Sequence, residues 1–338
     1  MRAAVLRAGR MVLRDDVAEP VPGPGQVLVD VKACGICGSD LHFAKYGKEM
    51  LELGSQMQGL PTGNVSVRLS GDIFMGHEFS AEVIEAGPDT AAPAPGTVVT
   101  SVPVLLSATG MDMIFQSNST IGGYAERMLL SAPLLLKVPN GLDPRHAALT
   151  EPMAVGLHAV NKSAIQPGET ALVLGCGPIG IAIIAALRNK GVEHIVAADY
   201  SPKRRQLGET MGARETVDPA QGSPFDTAKP AVVFEAVGMP GIINDVLRRA
   251  PRHSRVVVAG VCMEPDTVMP FFGTAKEISV QFVLAYDTTE FADSLRAITD
   301  GETDVDPLIT GEVGLDGVGA AFDDLAQPDE HCKILVTP

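Results

Sequence analysis

The stretch Leu172-Val173-Leu174-Gly175-Cys176-Gly177-Pro178-Ile179-Gly180 carries the strongest indication of fold in this chain. The apolar run before Gly175 is typical of a strand covered on both faces of a parallel sheet, and a helix is predicted over residues 178–190. The three glycines have different roles, since Gly175 makes a tight turn, Gly177 lets the backbone approach a pyrophosphate, and Gly180 lets helix and strand pack closely. Free N–H groups at the start of the helix would bind the phosphates.

A second apolar run, His194–Ala198, ends in Asp199, 19 residues after Gly180. An acidic residue at this place is typical of a dinucleotide site, where it binds a ribose 2′-hydroxyl and disfavours a 2′-phosphate. The pattern therefore predicts binding of NAD rather than NADP. The basic residues 203–205 follow closely and are expected to weaken this preference. The alternative is a glycine turn that binds no ligand. The predicted cofactor-binding residues are Gly175, Gly177, Pro178, Ile179, Gly180, Asp199 and Arg204.

Composition excludes several classes of protein. The 338 residues carry a net charge of −15 and an isoelectric point near 4.8, so nucleic acids and anionic lipid surfaces would repel the chain. No apolar run is long enough to span a membrane. The five cysteines form no regular framework and no signal peptide is recognisable, which predicts a cytoplasmic protein.

The predicted secondary structure differs between the N-terminal and C-terminal parts of the chain. Up to about residue 150, short β-like runs lie between Gly-Pro turns, which indicates a β-rich, barrel-like domain. From about residue 170, strands alternate with helices, which predicts a doubly wound parallel sheet. The tail from residue 287 contains a closing strand, Lys333–Val336, and could return to the first domain. The predicted sheet strands are residues 171–174, 194–199, 231–235, 256–261 and 278–284.

A second chemical cluster lies in the first domain. It comprises Cys34-Gly35-Ile36-Cys37-Gly38-Ser39-Asp40-Leu41-His42, followed by Gly76-His77-Glu78. Cys, His and Glu are the residue types that build an open zinc site with three protein ligands and one free position. The spacing alone also permits a redox-active Cys34-x-x-Cys37 pair, or a buried His77–Glu78 pair beside inert cysteines.

The order of these motifs along the chain is specific. Gly-Ile-Cys-Gly-Ser-Asp-Leu-His (35–42) and Gly-His-Glu (76–78) precede Glu-Pro-Met-Ala-Val-Gly-Leu-His-Ala-Val (151–160) and the glycine-rich turn. This order resembles the zinc-dependent medium-chain dehydrogenase/reductase family over essentially the whole chain. The resemblance implies an α/β fold with a GroES-like catalytic domain, residues 1–150 completed by 287–338, and a Rossmann domain, residues 151–286. It also implies a homodimer or homotetramer that pairs through the last strand of the parallel sheet.

The resemblance also implies roles for individual residues. Cys37 and His77 would bind a catalytic zinc, and Glu78 and Glu151 would be further ligands or lie beside it. Ser39 and His42 match a proton-relay pair, and Asp40 matches a residue that supports the site. The implied reaction is hydride transfer between an alcohol, or the corresponding aldehyde or ketone, and NAD. The alternatives are a metal-free quinone or enoyl reductase on the same scaffold and a non-catalytic, dinucleotide-binding redox sensor.

Two departures from the family pattern have consequences. Many members carry four closely spaced cysteines that bind a structural zinc, whereas residues 80–130 contain no cysteine, so one catalytic zinc per subunit and no structural zinc is expected. Cys37 and His77 are 40 residues apart, which is longer than usual. The excess, residues 43–75, is expected to be an excursion near the mouth of the active site. Its methionine and aromatic residues favour an apolar or bulky alcohol over a polyol.

Overall fold

The chain divides into two compact units in the computed structural model, which describes residues 1–57, 67–108, 110–139, 141–327 and 331–338. The first unit contains Met1–Glu151, Ile309–Gln327 and Lys333–Pro338, and the second contains Pro152–Leu308.

The N-terminal part of the first unit consists mainly of short strands. On β3, Val27, Val29 and Val31 point from alternate positions into the core of this unit. The elements are β1 (Ala3–Arg7), β2 (Arg10–Arg14), β3 (Gln26–Gly35), α1 (Gly38–Gln56), β4 (Ile73–Phe74), β5 (Glu78–Ala86), β6 (Val98–Ser101), β7 (Val104–Ser107), β8 (Gly110–Met113), β9 (Arg127–Ser131), β10 (Leu135–Lys137) and α2 (Pro144–Ala148).

The excursion predicted over residues 43–75 begins as helix. Its first part continues α1 to Gln56, with a kink at Tyr46, because this stretch is rich in strong helix formers such as Lys, Glu, Met and Leu. Residues 58–66 lie outside the described residues. The returning end is anchored: Asn118 binds both backbone groups of Arg68, and Asp72 accepts hydrogen bonds from Arg7 at 2.5 and 2.8 Å.

The second unit is built around a parallel sheet of strand order β13-β12-β11-β14-β15-β16. This doubly wound arrangement confirms the predicted fold class, and each predicted strand begins within one residue of an observed one. The elements are α3 (Thr150–Ser163), β11 (Thr170–Leu174), α4 (Pro178–Asn189), β12 (His194–Ala198), α5 (Pro202–Met211), β13 (Glu215–Val217), α6 (Pro224–Thr227), β14 (Val232–Glu235), α7 (Ile242–Arg249), β15 (Arg255–Val258), α8 (Pro270–Lys276), β16 (Ser279–Phe282) and α9 (Thr288–Thr299).

The C-terminal segment returns to the first unit with β17 (Ile309–Val313), α10 (Val318–Leu325) and β18 (Lys333–Val336). There β18 pairs with β17 in parallel and with β3 antiparallel, which gives the sheet order β10-β6-β5-β3-β18-β17, with β9 also on β3. The sequence places this return at residue 287, whereas α9 stays in the second unit. The reason is Glu290 of α9, which accepts hydrogen bonds from His158 and Asn161 of α3.

Candidate active site

Cys37, His77 and Glu78 come together in the first unit. Cys37 immediately precedes α1, and His77 immediately precedes β5, whose first residue, Glu78, pairs with Gly35 of β3. One potential ligand atom from each of the three side chains lies within 4.8 Å of the others. Small side-chain adjustments would bring such atoms onto one zinc ion, whose bonds measure about 2.0–2.3 Å.

Asp40 connects the two segments that carry these side chains. Its Oδ2 accepts a hydrogen bond from the Cys37 backbone N–H at 3.2 Å, and its Oδ1 lies 3.5 Å from His77 Nδ1. Both residues are buried, and neither Asp40 Oδ1 nor His77 Nδ1 has a hydrogen-bond partner among the described residues. A metal-bound imidazole donates its second ring N–H to such a carboxylate. The residues present therefore fit a metal ion at His77 Nε2.

Glu78 is paired with a buried cation. Lys333 Nζ donates to both carboxylate oxygens of Glu78 at 2.7 Å and to Ile36 O at 3.1 Å. A Cβ atom at position 35 would lie 2.1 Å from Glu78 Oε2, so Gly35 leaves the space that the carboxylate occupies. The charge of Glu78 is therefore balanced by the protein itself.

The electrostatic environment of His77 favours a cation. Burial alone lowers the pKa of His77, but the charges of Asp40, Cys37 and Glu151 outweigh burial and raise it to about 10. Glu151 lies in the first turn of α3 and is buried. The raised pKa of His77 means that its surroundings favour positive charge at this position.

Ser39 and His42 lie on the first turns of α1. Ser39 Oγ is 3.4 Å from His77 Nε2, and His42 Nδ1 is buried without a hydrogen-bond partner in the described part of the chain. Burial, and secondarily the charge of Lys45, lower the pKa of His42, so the ring is neutral at neutral pH and can accept a proton. Phe115 covers the His77 ring, with centroids 4.4 Å apart.

The glycine-rich turn of the second unit connects β11 to α4. Gly175 follows β11 with φ +92°, and a Cβ atom at position 180 would lie 1.8 Å from Gly175 O, so the close approach of α4 to the strand requires glycine. At Gly177, a Cβ atom would meet only Arg204 Nη1, at 3.9 Å. Gly177 therefore faces open space, as approach to a pyrophosphate demands, and Pro178 and Ile179 begin the helix behind it.

Asp199 follows β12 and is anchored to the same turn. Its Oδ2 accepts from Cys176 N–H at 2.8 Å and its Oδ1 from Ser201 N–H at 2.9 Å. An ionised carboxylate offers about four acceptor positions, so two remain for ribose hydroxyls. Arg205 Nη1 donates hydrogen bonds to the backbone oxygens of Asp199 and Tyr200. Arg204 Nε, in contrast, is buried without a hydrogen-bond partner among the described residues.

A second group with metal-ligand chemistry lies in the second unit: His158, Asp287 and Glu290. Glu290 Oε2 accepts from His158 Nδ1 at 2.7 Å and from Asp287 N–H at 2.8 Å, and Oε1 accepts from Asn161 at 2.8 Å. Both oxygens of the Glu290 carboxylate therefore accept hydrogen bonds within the protein. These bonds cap the start of α9 and hold this helix against α3. This cluster has a structural role.

Sequence reasoning missed three residues around the metal cluster: Lys333, Tyr124 and Phe115. Lys333 had a detectable signal, because a lysine at the start of an apolar closing strand must find an anionic partner if it is buried. Tyr124, whose hydroxyl binds Asp40, and Phe115 carry no local signal, since both lie in irregular segments whose contacts depend on the fold.

Comparison with known proteins identifies relatives over the whole chain. The sequence model of the alcohol dehydrogenase GroES-like domain matches residues 23–140, and that of the zinc-binding dehydrogenase domain matches residues 178–300. The chain is 30% identical to (R,R)-butanediol dehydrogenase of Bacillus subtilis, over the full length of both proteins.

Solved structures show the same likeness. The crystal structure of 2R,3R-butanediol dehydrogenase from Bacillus subtilis superposes with a TM-score of 0.84 at 29% identity and covers 100% of this chain and 99% of its own. A protein from Sinorhizobium meliloti 1021, described as a zinc-binding dehydrogenase and bound to NADP, gives 0.83 at 27% identity, with 100% and 99% coverage. The family matches and the full-length identity lead to one conclusion: this chain belongs to the zinc-dependent medium-chain dehydrogenase/reductase family of oxidoreductases.

Proposed function

We propose that the protein is a zinc-dependent, NAD-linked alcohol dehydrogenase that also reduces the corresponding carbonyl compound. The observation that carries the proposal is the meeting of Cys37, His77 and Glu78, with the unpartnered Asp40 Oδ1 facing His77 Nδ1. This arrangement suits a ligand histidine and its supporting carboxylate. A metal-free reductase has no need of such a cluster.

Cys37 and His77 would hold the zinc ion while Glu78 stays paired with Lys333. Glu151, which lies outside the 4.8 Å group but whose charge acts on His77, would approach as the third ligand. A bound zinc ion would supply Lewis acidity, which polarises an alcohol or carbonyl oxygen. Ser39, 3.4 Å from His77 Nε2, is placed to accept the proton of the substrate hydroxyl. His42 would take that proton onward, since its lowered pKa leaves the ring neutral at neutral pH. The substrate carbon loses hydride to the nicotinamide ring of NAD, so alcohol and NAD become carbonyl compound, NADH and one proton.

NAD would bind at the glycine-rich turn, with Asp199 accepting hydrogen bonds from the adenosine ribose and Arg204 close to Gly177. The negative charge of Asp199 opposes a 2′-phosphate, which supports NAD over NADP. For the substrate, the butanediol relative favours a small secondary alcohol or vicinal diol. Phe115 over the His77 ring would contribute an apolar wall.

The test combines metal content with turnover. Elemental analysis of metal-replete protein should give about one zinc per chain, and a panel of primary, secondary, cyclic and aromatic alcohols, vicinal diols and sorbitol should identify the substrate with NAD and NADP. Cys37→Ala should abolish turnover and retain NADH binding, whereas Cys332→Ala, outside the cluster, should retain both. Full turnover by zinc-free Cys37→Ala protein would favour the metal-free reductase, and NADH binding without any turnover would favour the redox sensor.

We further propose a homodimer or a dimer-based tetramer, formed through β16. This strand is the edge of the parallel sheet and is exposed along its length, with Phe282 at 64% and the following Leu284 at 83% exposure. Antiparallel pairing of β16 with its copy across a two-fold axis would satisfy the free backbone groups and cover both side chains.

The surroundings we propose are those of the cytoplasm. The five cysteines are free thiols, which suits a reducing compartment. Within the described residues, no helix is both long and apolar enough to cross a membrane.

A further inference from the structure

Tyr124 contacts the Asp40 carboxylate but takes no part in the proposed reaction. Its hydroxyl donates to Asp40 Oδ2 at 2.6 Å, the same oxygen that accepts from the Cys37 N–H at 3.2 Å. Tyr124 is 1% exposed and Asp40 is 0% exposed. A hydroxyl that donates to a buried carboxylate at this distance forms a charge-assisted hydrogen bond, which is stronger than one between neutral groups.

The backbone holds Tyr124 against the segment that leads to His77. Tyr124 N–H donates to Met75 O at 3.2 Å, and Gly123 N–H donates to Gly76 O at 2.8 Å. These bonds join the Tyr124 segment to the two residues directly before His77. The position of the tyrosine is therefore tied to the position of the histidine.

Glycines provide the space for this contact. A Cβ atom at Gly76, where φ is +100°, would lie 2.8 Å from Tyr124 N and 2.9 Å from its ring. A Cβ atom at Gly122 would lie 2.4 Å from Met75 O. Neither position accepts a side chain without movement of the neighbouring backbone. The site of Tyr124 is thus built by two segments that are distant in sequence.

We propose that Tyr124 is a positioning residue for the metal site. By binding Asp40 Oδ2, its hydroxyl keeps Oδ1 directed at His77 Nδ1, which orients the imidazole and holds the proton on the nitrogen that faces away from the metal. A phenylalanine would fill the same space but would leave the Cys37 N–H as the only described hydrogen-bond donor to Asp40 Oδ2. This inference rests on the proposed zinc site.

The test is the zinc affinity of full-length Tyr124→Phe protein, measured by competition with a chromophoric chelator. Loss of a group that hydrogen-bonds to a metal-binding histidine weakens metal binding by about 10–100-fold. We expect a loss of about tenfold for Tyr124→Phe, because Tyr124 acts on His77 only through Asp40. The absorption spectrum of the cobalt-substituted protein should change as well. Phe322→Leu is the matched control, because the Phe322 ring packs edge-on against Tyr124, with centroids 6.2 Å apart, and its loss leaves the hydroxyl in place.

The outcomes separate the inference from the proposed function. Wild-type zinc affinity in folded Tyr124→Phe protein, or an equal loss in Phe322→Leu, would overturn the positioning role and leave the zinc site standing. Failure of the wild-type protein to bind zinc would overturn the proposed function instead. If Tyr124→Phe does not fold, Asp40→Asn serves in its place, because it keeps the side-chain volume but removes the carboxylate through which Tyr124 acts. Unchanged zinc affinity in that variant would also overturn the inference.

Discussion

Lys333 and Glu78 form a buried ion pair directly beside His77, with the cation supplied by the last strand of the chain and the carboxylate by β5. The two side chains are 1% and 0% exposed, so neither charge is compensated by water. Removal of one partner from such a pair leaves an isolated buried charge, which is far more costly than loss of a surface contact. The C-terminal strand thus contributes directly to the charge balance of the candidate metal site.

Lys333→Met should lower the free energy of unfolding of the zinc-free protein by about 3–5 kcal/mol, because Glu78 is left unpaired. Zinc should then restore more stability than it does in the wild type, since the freed carboxylate can approach the metal. Thermal unfolding with and without zinc measures both effects. Lys333→Arg, which keeps the charge, is the control, and Lys333→Met combined with Glu78→Gln should recover much of the loss. A zinc-induced shift equal to that of the wild type would show that Glu78 stays away from the metal.

Zinc uptake at pH 8 should release a proton from His77. Because the pKa of this imidazole is raised to about 10, the metal-free protein holds the proton at pH 8 and loses it only as the pH rises through 10. Calorimetric titration in buffers of different ionisation enthalpy counts the protons released per zinc. Asp40→Asn removes the carboxylate that raises the pKa of His77 most, so this variant should release fewer protons per zinc. Equal proton release from the two proteins would contradict the raised pKa.

Asp199→Ser should reduce the preference for NAD over NADP by about tenfold or more in kcat/KM, which corresponds to about 1.4 kcal/mol. The reason is removal of the negative charge that opposes the 2′-phosphate. Steady-state kinetics with both cofactors measure the ratio, and Asp226→Ser, which removes an exposed carboxylate on α6 of the same unit, is the control. Wild-type protein with the higher kcat/KM for NADP would show that the basic residues outweigh Asp199.

Two glycines of the turn should respond differently to alanine. Gly180→Ala places a methyl group 1.8 Å from a backbone oxygen and should destabilise the protein by about 1–3 kcal/mol, as overpacking does. Gly177→Ala meets only Arg204 Nη1, at 3.9 Å, and should leave stability unchanged while weakening NADH binding. Denaturant unfolding and fluorescence titration with NADH separate the two effects. Normal NADH binding by Gly177→Ala would place the pyrophosphate elsewhere.

Phe282→Asp should convert the proposed oligomer into monomers, because a charge on the exposed edge of β16 cannot be buried against its copy. Light scattering should give at least twice the chain mass of 35.4 kDa for the wild type and the single chain mass for the variant. Met111→Asp, at an exposed apolar position of the first unit, is the control and should keep the wild-type mass. A wild-type mass of one chain would refute pairing through this strand.

Local patterns in the sequence were sufficient for much of the fold and for the core of the candidate site. The strand–turn–helix at Gly175–Gly180 and the position of Asp199 depend on backbone geometry and strand length, which short stretches encode directly. The sequence predicted an excursion over residues 43–75 but not its conformation, and its first part continues α1 to Gln56 because strong helix formers outweigh the interruption at Tyr46.

What the sequence determined by itself is the set of chemical groups: a glycine-rich turn ending at Gly180, an acid at Asp199, and ligand types at Cys37 and His77. Which groups surround them was decided only by the tertiary structure. Lys333 lies 255 residues from Glu78 and Tyr124 lies 84 residues from Asp40, yet each pair is in hydrogen-bond contact. Such contacts arise when strands from distant segments pair in one sheet and glycines allow close backbone approach, and no local pattern encodes a partner so far along the chain.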